Sequence, residues 1–312
     1  IYKFFLKNIS MKKKLYTVIG LMSGTSMDGV DISIISSDGY DQFFSILDDY
    51  YAYDNNLREQ LITLRDLVLT KEDLSKNSEK VREIERSITL FHADIIYKTL
   101  KKFKEPIDLI GFHGQTIFHN PQKKITKQLG DGRLLSQMIK KKVVYNFRQE
   151  DLENNGQGAP LTPIFHYILS KEIHRKFNTE FPIGFLNIGG IANVTKVVNI
   201  SNQINEALFA FDIGPGNCLI DDWIRNNSKK KYDKNGDIAK SGKIDHFVLN
   251  QAIDNFKIKT YSKSLDIKNF DNLFARGLSL ENGCATITNF TAYLIAQGLE
   301  TISENKSIKF LV

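Results

Sequence analysis

The chain has few cysteines and no long apolar run, and both absences narrow the class of protein. Only two of its 312 residues are cysteines, Cys218 and Cys284, and neither belongs to a CxxC or Cys/His pattern. This usage argues against a disulfide framework or a structural zinc site, and it fits a reducing, cytoplasmic compartment. No apolar run approaches the roughly 20 residues that a membrane span requires. We therefore expect a globular cytoplasmic protein that does not insert into membranes.

Several common motifs are also missing. The sequence contains no Walker A, GxSxG, HExxH or GxGxxG pattern, which excludes P-loop and Rossmann phosphate binding. The segment from Gly24 to Met27 resembles the nucleophile motif of subtilisin-like proteases. Those enzymes carry their Asp and His before the serine, whereas no histidine precedes Ser26. His113 and His119 have no third ligand near them in the sequence, which therefore predicts no metal cluster and leaves the metal ligands unknown.

The charge balance is mildly basic rather than strongly of one sign. Lys and Arg total 42 and Asp and Glu total 36, which gives a formal net charge of +6. The excess lies in three scattered lysine runs, residues 12–14, 140–142 and 229–231. A nucleic-acid interface would concentrate its charge on one face among aromatic residues. We therefore expect a solvated surface and no nucleic-acid partner.

The hydrophobic pattern indicates two similar halves. At roughly 150 residues a domain, the length predicts about two domains. From Tyr16 onward, three strand-like runs separated by glycine turns are typical of an antiparallel meander, and residues 81–103 follow with the apolar spacing of a helix. A polar stretch rich in Gly and Pro, residues 149–163, favours a boundary or a loop lining a cleft between the halves. Beyond it, strand-like runs around Gly189-Gly190 repeat the opening pattern.

The densest chemical signal is the turn between the first two strand-like runs, within residues 20–31. Glycine lets a backbone turn sharply and approach a ligand closely. Successive N–H groups, together with the hydroxyls of Thr25 and Ser26, can then donate to phosphate oxygens. A plain hairpin turn explains the pattern about as well. The residues that would contact an anion here are Gly24, Thr25, Ser26, Met27, Asp28, Gly29, Val30 and Asp31.

Three further segments place polar groups after apolar runs. The run that ends in Asp212 is followed by Gly-Pro-Gly and a helical pattern, so Asp212 would lie at the mouth of a sheet as a general base; a turn or capping role is the alternative. Residues 113–116, His-Gly-Gln-Thr, follow the strand-like run 107–112, and residues 156–160 form a loop. Both segments could read sugar hydroxyls and amides, although a single histidine such as His113 is more often structural.

Together these segments resemble the anhydro-N-acetylmuramic acid kinase family. The matching motifs occur in the family's order and span residues 16 to about 300, nearly the whole chain. Six motifs match strongly and a seventh, at residues 281–292, matches more weakly. They are GLMSGTSMDGVD (20–31), GFHGQT (111–116), QLGDGRLL (128–135), GQGAPLTP (156–163), LNIGGIANVT (186–195), FDIGPGNCLIDDW (211–223) and ENGCATITNFTA (281–292).

This resemblance implies an α/β fold of the actin-like ATPase type, with two lobes that each contain an RNase H-like mixed sheet flanked by helices. It also implies ATP and Mg²⁺ as cofactors. The implied reaction opens 1,6-anhydro-N-acetylmuramic acid with water and transfers the γ-phosphoryl group to O6, giving N-acetylmuramic acid 6-phosphate for cell-wall recycling. Such chemistry needs positioning and charge neutralisation more than covalent catalysis. The implied partners are small molecules, and the sequence leaves open whether the enzyme is a homodimer.

The resemblance also implies roles for individual residues. Asp212 would be the catalytic base. Gly24 through Asp31 in the first half and Gly189 with Gly190 in the second would hold the ATP phosphates. The implied sugar-binding residues are His113, Gln115, Gln128, Arg148, Gly158, Ala159, Pro160 and Asn217.

We expect residues 11–147 to form the first lobe and residues 148–312 the second. Residues 1–10 are expected to be an upstream extension, because Met11 followed by lysines is typical of a natural start. In the family, a strand like 308–312 runs into a glycine-rich loop and a further segment, so we also expect a second lobe that is truncated at its C-terminus. The alternative to an active kinase is then a truncated, catalytically inactive remnant that at most binds sugar or nucleotide.

Overall fold

Two compact units make up the part of the chain that the computed structural model describes. That part comprises residues 14–201, 203–256, 265, 270–304 and 308–311. The first unit ends at Leu161 and the second begins at Thr162. This division lies beyond the predicted boundary at 147/148 and within the polar stretch 149–163. The predicted upstream extension, residues 1–10, lies outside the described residues.

The first unit is a mixed β-sheet with five helices among its described residues. Its strands are β1 (Tyr16–Ser23), β2 (Gly29–Ser37), β3 (Phe43–Ala52), β4 (Leu109–Asn120), β5 (Ile125–Leu129) and β6 (Lys142–Val144). Its helices are α1 (Asn55–Leu67), α2 (Lys71–Lys76), α3 (Ser78–Lys102), α4 (Gly132–Ile139) and α5 (Phe147–Glu153). The sheet order is β3-β2-β1-β4-β5, with β6 paired to β4. Strands β1, β2 and β3 are antiparallel, whereas β4 runs parallel to β1.

Alternation of apolar and polar residues explains how this sheet is covered. Along β2, Val30, Ile32 and Ile34 are fully buried, while the residues between them are exposed or half-buried. This pattern is typical of an antiparallel strand with one face against a core. The apolar residues of α3, including Ile84 and Ile88, join the same hydrophobic core. The antiparallel meander and the helix predicted over 81–103 are both confirmed.

Strand β4 continues beyond the run 107–112 that the sequence predicts. After a shift in register, Ser23 of β1 pairs with Gln115, so His113 and Gly114 together oppose a single residue of β1. Such a bulge inserts an extra residue without ending the strand. Gly114 has a φ of 72°, a conformation that glycine adopts without steric cost. His113 and Gln115 therefore lie within a strand and not, as predicted, at its end.

The second unit is also a mixed sheet with helices. Its described strands are β7 (Ile183–Ile188), β8 (Ile191–Val197), β9 (Leu208–Pro215) and β10 (Lys309–Leu311). Its described helices are α6 (Pro163–Phe177), α7 (Ile204–Ala207), α8 (Cys218–Asn227), α9 (Asp237–Ser241), α10 (His246–Asn255) and α11 (Leu280–Ser303). The sheet order is β10-β7-β8-β9. Strands β7, β8 and β9 are antiparallel, and β10 runs parallel to β7.

Both sheets share one connectivity. In each, three antiparallel strands are followed along the chain by helices and then by a strand that pairs in parallel with the first, β4 beside β1 and β10 beside β7. This arrangement confirms the predicted α/β class, with two mixed sheets flanked by helices. It also makes the β7–β8 turn of the second unit the counterpart of the β1–β2 turn of the first.

The two longest described helices, α3 and α11, lie one in each unit. They span 25 and 24 residues. Helix α11 packs closely on β9, because a Cβ at Gly298 would lie 2.7 Å from the Cβ of Ile213. Glycine at this position therefore lets the helix backbone approach the strand. In the part of the chain that the structure describes, no helix is both long and apolar enough to cross a membrane.

His92, on α3, is a fully buried imidazole. Its Nδ1 hydrogen-bonds to the carbonyl oxygen of Ile88 at 2.8 Å, whereas its Nε2 has no partner among the described residues. Burial lowers the pKa of His92 to about 4, against the opposing effect of the bond to Ile88. The folded protein therefore holds this residue neutral down to about pH 4, while the unfolded chain binds the proton near pH 6.5.

We expect His92→Leu to reduce the acid sensitivity of folding. In the native protein, the neutral imidazole makes its full contribution to the free energy of unfolding above pH 6.5. That contribution falls by roughly 3 kcal/mol as the pH drops to about 4. The free energy of unfolding of the variant, measured by urea titration at about pH 7 and about pH 4.5, should therefore fall less than that of the native protein. His246→Leu changes an exposed histidine of α10 and is the control. Equal acid sensitivity in His92→Leu and the native protein would contradict the prediction.

Candidate active site

The turn between β1 and β2 presents polar side chains outward and an apolar one inward. Thr25, Ser26 and Asp28 are exposed, whereas Met27 is 1% exposed and packs in the core. The backbone N–H of Met27 donates to the carbonyl oxygen of Gly24 at 3.3 Å. Ser26 Oγ donates to a carboxylate oxygen of Asp28 at 2.7 Å. A ligand at this turn would therefore meet the side chains of Thr25, Ser26 and Asp28.

Gln115 and Tyr53 fix the turn from within the unit. Gln115 Nε2 donates to the carbonyl oxygen of Gly24 at 2.9 Å. The backbone N–H of Tyr53 donates to the carbonyl oxygen of Asp28 at 2.9 Å, and its hydroxyl shares a 2.8 Å hydrogen bond with Ser23 Oγ. Tyr53 is not predicted as part of the site, because no local sequence pattern indicates a partner so distant in the chain. These bonds hold both ends of the turn in place.

The burial of Gln115 corrects its predicted position at an exposed strand end. The side chain is 0% exposed, so it offers no surface to a sugar and supports the turn instead. The donor to Gly24 must be the amide nitrogen, since a carbonyl oxygen needs a donor. Gln115 Oε1 is then left buried without a hydrogen-bond partner in the described residues. Val30 is also 0% exposed, and its side chain belongs to the core.

Two carboxylates lie beside the turn. Asp28 and Asp31 are both exposed. The pKa of Asp31 is raised, first because its carboxyl group loses part of its hydration and second because of the negative charge of Asp28. Gly29 between them has no room for a side chain, because a Cβ would lie 2.5 Å from the carbonyl oxygen of Tyr51 and 2.6 Å from the hydroxyl of Tyr50. Two carboxylates that repel each other fit Mg²⁺, which usually binds one or two carboxylates, phosphate oxygens and water. The described residues contain no group of three or more His, Cys, Asp or Glu side chains that could hold a metal by themselves.

His113, Arg148 and Gly158 form one hydrogen-bonded network. Arg148 Nε donates to His113 Nε2 at 2.8 Å, and Nη1 donates to the carbonyl oxygen of Gly158 at 2.9 Å. The proton of the imidazole is therefore on Nδ1, which donates to the carbonyl oxygen of Gly114 at 2.6 Å. Burial, followed by the charge of Arg148, lowers the pKa of His113 to about 4. The structure thus brings three of the predicted sugar-binding residues together, with the imidazole neutral at neutral pH.

A carboxylate of α5 holds the loop that contains Gly158. Asp151 Oδ2 accepts from the backbone N–H of Gly158 at 2.8 Å, and its backbone oxygen accepts from Gly156 at 2.7 Å. Ala159 is half-buried and Pro160 is exposed, and a cis peptide bond joins them. Asp151 is not predicted as part of the site, because it lies in the polar stretch that favours a boundary between the halves. Asp151 therefore positions the loop by contacts within that stretch.

Gln128 lies on β5, beside β4. Its Nε2 donates to Thr126 Oγ1 at 2.7 Å and to Thr116 Oγ1 at 3.2 Å. The side chain is half-buried. These bonds fix its amide on the surface of the sheet and do not join it to Arg148.

In the second unit, Asp212 lies at a bulge in β9. Asn193 of β8 pairs with Asp212, and a register shift next to this pair makes Ile213 an extra residue on β9. Bulges redirect side chains: Ile213 is fully buried, whereas Asp212 is half-buried. Asp212 Oδ2 accepts from the backbone N–H of Leu265 at 2.8 Å. The strand was predicted to end at Asp212, but it continues to Pro215.

The β7–β8 turn is fixed to the N-terminus of α8. The carbonyl oxygen of Gly189 accepts from Asn217 at 2.7 Å, and that of Gly190 accepts from Gly216 at 3.0 Å. The side-chain amide of Asn217 also donates to the carbonyl oxygen of Ile188 at 3.2 Å. Since these carbonyl groups bond to the start of α8, any phosphate contact from this turn would come from its N–H groups. Asn217 is exposed and supports the turn from the helix side.

Comparison with known proteins finds similarity over nearly the whole chain. The family model for anhydro-N-acetylmuramic acid kinase matches residues 16–309. A protein of that name from Pelagibacter ubique is 50% identical over 303 residues, which covers 96% of this chain and 79% of the relative. Namesakes from Methylobacterium nodulans and Rhodopseudomonas palustris are 38% and 37% identical; the matches cover 92% and 90% of this chain and 78% and 76% of the relatives.

One expectation from the sequence is decided by these matches. The matches cover 76–79% of the relatives' length, and the expected C-terminal truncation and the alternative of an inactive remnant stay predictions. The predicted family resemblance is confirmed by the family model and by several relatives that are more than a third identical to this chain over the aligned residues. The chain belongs to the anhydro-N-acetylmuramic acid kinase family.

Proposed function

We propose that this protein is a cytoplasmic, ATP-dependent kinase that opens 1,6-anhydro-N-acetylmuramic acid with water and phosphorylates O6, giving N-acetylmuramic acid 6-phosphate for cell-wall recycling. Membership of the family supports a phosphotransferase that uses ATP. The structural observation that supports the proposal most directly is the bulge in β9. It leaves Asp212 half-buried beside the fully buried Ile213. A general base needs an oxygen that a reacting water can reach.

The β1–β2 turn is the proposed contact for the ATP phosphates. Backbone N–H groups between Gly24 and Asp31, together with the exposed hydroxyls of Thr25 and Ser26, would donate to phosphate oxygens. Gly189 and Gly190 are the proposed phosphate contacts of the second unit. The hydrogen bonds that fix both turns support this proposal, because donors that are already in position stabilise developing charge without reorganisation.

Asp212 is the proposed base of the hydrolytic step. It would take a proton from the water whose oxygen bonds to C1 of the sugar. As that bond forms, the bond between C1 and O6 breaks, and its electron pair remains on O6. O6 then attacks the γ-phosphorus of ATP, and ADP leaves. The hydrogen bond from Leu265 to Asp212 Oδ2 would orient the carboxylate towards the water.

Asp28 and Asp31 are the residues that fit Mg²⁺. When bound, the metal would neutralise phosphate charge during transfer. The repulsion between these two carboxylates supports the assignment. Ser26 Oγ, which donates to Asp28, would help to orient that carboxylate.

The proposed sugar contacts differ from the prediction at two residues. Gln115 is buried, so we propose that it positions the phosphate-binding turn. Gly158 is also buried, and its N–H and carbonyl groups bond to Asp151 and Arg148, so we propose that it positions Arg148. The remaining residues keep their proposed contact with the sugar. These are His113, Gln128, Arg148, Ala159, Pro160 and Asn217.

The function is tested by incubating the purified protein with 1,6-anhydro-N-acetylmuramic acid, ATP and Mg²⁺. We expect ADP release that depends on the sugar and a product whose mass corresponds to addition of both water and a phosphoryl group. ATP without sugar measures background hydrolysis. A folded protein that releases no ADP with this sugar would contradict the proposal. Phosphorylation of other sugars only would indicate a kinase of the same fold with another substrate.

A further inference from the structure

Three polar side chains line up across the second sheet at the level of Asp212. Asn187 of β7 is paired directly with Asn193 of β8, and Asn193 is paired directly with Asp212 of β9. Directly opposed residues of antiparallel strands place their side chains on the same face of a sheet. The three strands therefore contribute two amides and one carboxylate to one row, which we call the polar row.

The neighbouring row on the same face is covered by helix α6. That row consists of Phe185, Thr195 and Ala210. Each of these residues lies two positions along its strand from a member of the polar row, so all of them share one face. His166 of α6 forms a 2.8 Å hydrogen bond with Thr195 Oγ1 and stacks on Phe185 with ring centroids 4.7 Å apart. The polar row lies one step nearer the β7–β8 turn, and its members are half-buried or exposed.

Asn193 is the central member of the polar row. The amide of Asn187 on one side is directed towards the β7–β8 turn, since its Nδ2 would lie 3.6 Å from a Cβ at Gly189. Asn193 is half-buried, and within the described residues its side chain forms no hydrogen bond with another protein group. Polar groups that lose contact with solvent usually have a hydrogen-bond partner. This amide therefore suits a small polar ligand on the side of Asp212.

The spacing of the pair fits a single water molecule. Directly opposed residues have Cβ atoms about 5 Å apart, so a water molecule between the two side chains can contact both. The side-chain oxygen of Asn193 can accept a hydrogen bond, and so can a carboxylate oxygen of Asp212. Water has two O–H groups and can donate to both acceptors at once.

We propose that Asn193 holds the water molecule that Asp212 deprotonates. The inference rests on the proposed function. One O–H group of the water donates to Asp212 and the other donates to Asn193 Oδ1, which directs the oxygen lone pair at C1 of the sugar.

The reaction step then has a defined balance. As the water oxygen bonds to C1, the first hydrogen passes to Asp212 as a proton. The bond between C1 and O6 breaks, and its electron pair remains on O6. The second hydrogen stays on the new C1 hydroxyl group. Asn193 is a catalytic residue in this arrangement, because it contacts the oxygen that reacts.

This arrangement predicts that an alcohol competes poorly with water. Methanol has one O–H group, so once it donates to Asp212 it leaves the acceptor oxygen of Asn193 without a donor. An unsatisfied acceptor disfavours methanol by about 10-fold. Attack by methanol would give the methyl glycoside of the sugar phosphate in place of the free sugar phosphate. The ratio of these two products, measured by mass spectrometry, therefore reports the choice of nucleophile.

The test compares Asn193→Leu with the native protein in aqueous methanol. Leucine has the same branching as asparagine but no acceptor, and it adds no space for methanol. We expect the ratio of methyl glycoside to free sugar phosphate to rise about 10-fold and kcat to fall roughly 10–10²-fold. The KM values for the sugar and for ATP should stay unchanged. Asn193→Asp keeps an acceptor oxygen and should keep the product ratio of the native protein.

The control and the product ratio separate this role from a structural one. Asn250→Leu changes an exposed asparagine of α10, and it should turn over and select its nucleophile as the native protein does. The product ratio comes only from active molecules, so a partly unfolded variant still gives a valid value. An unchanged ratio in Asn193→Leu would overturn the proposal. A raised KM for the sugar with an unchanged ratio would also overturn it and assign Asn193 to sugar binding.

One measurement requires no variant, and the outcomes distinguish this proposal from the proposed function. A native protein that forms the two products in proportion to the methanol and water present would contradict the role of Asn193. A native protein that forms no product from sugar and ATP would contradict the kinase proposal, and the inference with it. A native protein that forms the sugar phosphate, while Asn193→Leu keeps the native ratio, would support the kinase and contradict only the role of Asn193.

Discussion

Asp212→Asn is expected to lower kcat by roughly 10²–10⁴-fold. The asparagine amide can still accept the hydrogen bond that Leu265 donates to this side chain, so the local structure is kept. It cannot take a proton from water, so in the proposed mechanism the step that opens the sugar ring loses its base. Turnover is measured as ADP release, and nucleotide affinity is measured separately by calorimetry. We expect affinity for ATP to be unchanged, because in the proposed mechanism the carboxylate acts on the water and not on the nucleotide.

Asp254→Asn is the matched control for this experiment. Asp254 is an exposed aspartate on α10 of the same unit. Its substitution therefore removes one negative charge, as Asp212→Asn does, but from a position outside β9. The control should turn over as the native protein does. Near-full activity of Asp212→Asn would remove Asp212 from the mechanism. A loss of ATP affinity as large as the loss of kcat would assign Asp212 to nucleotide binding instead.

Gly216→Ala is expected to destabilise the second unit by about 3 kcal/mol, since overpacking of a tight contact typically has this size of effect. A Cβ at this position would overlap the carbonyl oxygen of Gly189, and the backbone must separate there. The separation would break the bonds between the β7–β8 turn and the start of α8. We therefore also expect weaker ATP binding from the variant, because the turn that holds Gly189 and Gly190 loses its support.

The measurement can use the protein's single tryptophan. Trp223 lies on α8 and is 5% exposed, so its fluorescence reports unfolding of the second unit in urea. Gly189→Ala is the stability control: a Cβ there would meet its nearest neighbour, Asn187 Nδ2, at 3.6 Å, which is ordinary contact. Gly189 and Gly216 thus lie on opposite sides of one backbone contact, and only Gly189 has room for a methyl group. Equal unfolding midpoints for Gly216→Ala and the native protein would contradict the prediction, because the backbone would then make room for the methyl group with no loss of stability.

Much of the fold follows from local patterns in the sequence. The antiparallel strands, the helix within 81–103 and the α8 pattern after Gly216 were predicted because their periodicity and turn residues act over short distances. Strand ends were predicted less well. Gly114 and the residues after Asp212 are typical of turns that end a strand. Both strands nevertheless accommodate an extra residue as a bulge and continue. Local preference for a turn was outweighed by pairing with the neighbouring strand.

The candidate site shows the same division. Its proposed polar residues could be predicted because hydroxyls, glycines and a carboxylate cluster within single segments such as 24–31. The supporting residues Tyr53 and Asp151 were not found, and Gln115 was assigned to the wrong surroundings. Their roles depend on which backbone groups the folded chain places beside them, and a linear pattern contains no such information.

Side-chain alternation and turn chemistry operate between near neighbours, so the amino-acid sequence is enough to predict the α/β class, the two meanders and the segments in which we propose the reactive groups. Folding was needed to show that Gln115 is buried beneath Gly24, that Asp212 is half-buried while Ile213 is fully buried, and that Arg148 has neutral partners on one edge. Burial and hydrogen-bond pairing join residues far apart in the chain. Such contacts set the orientation and charge of each group, and they exist only once the strands and helices have packed.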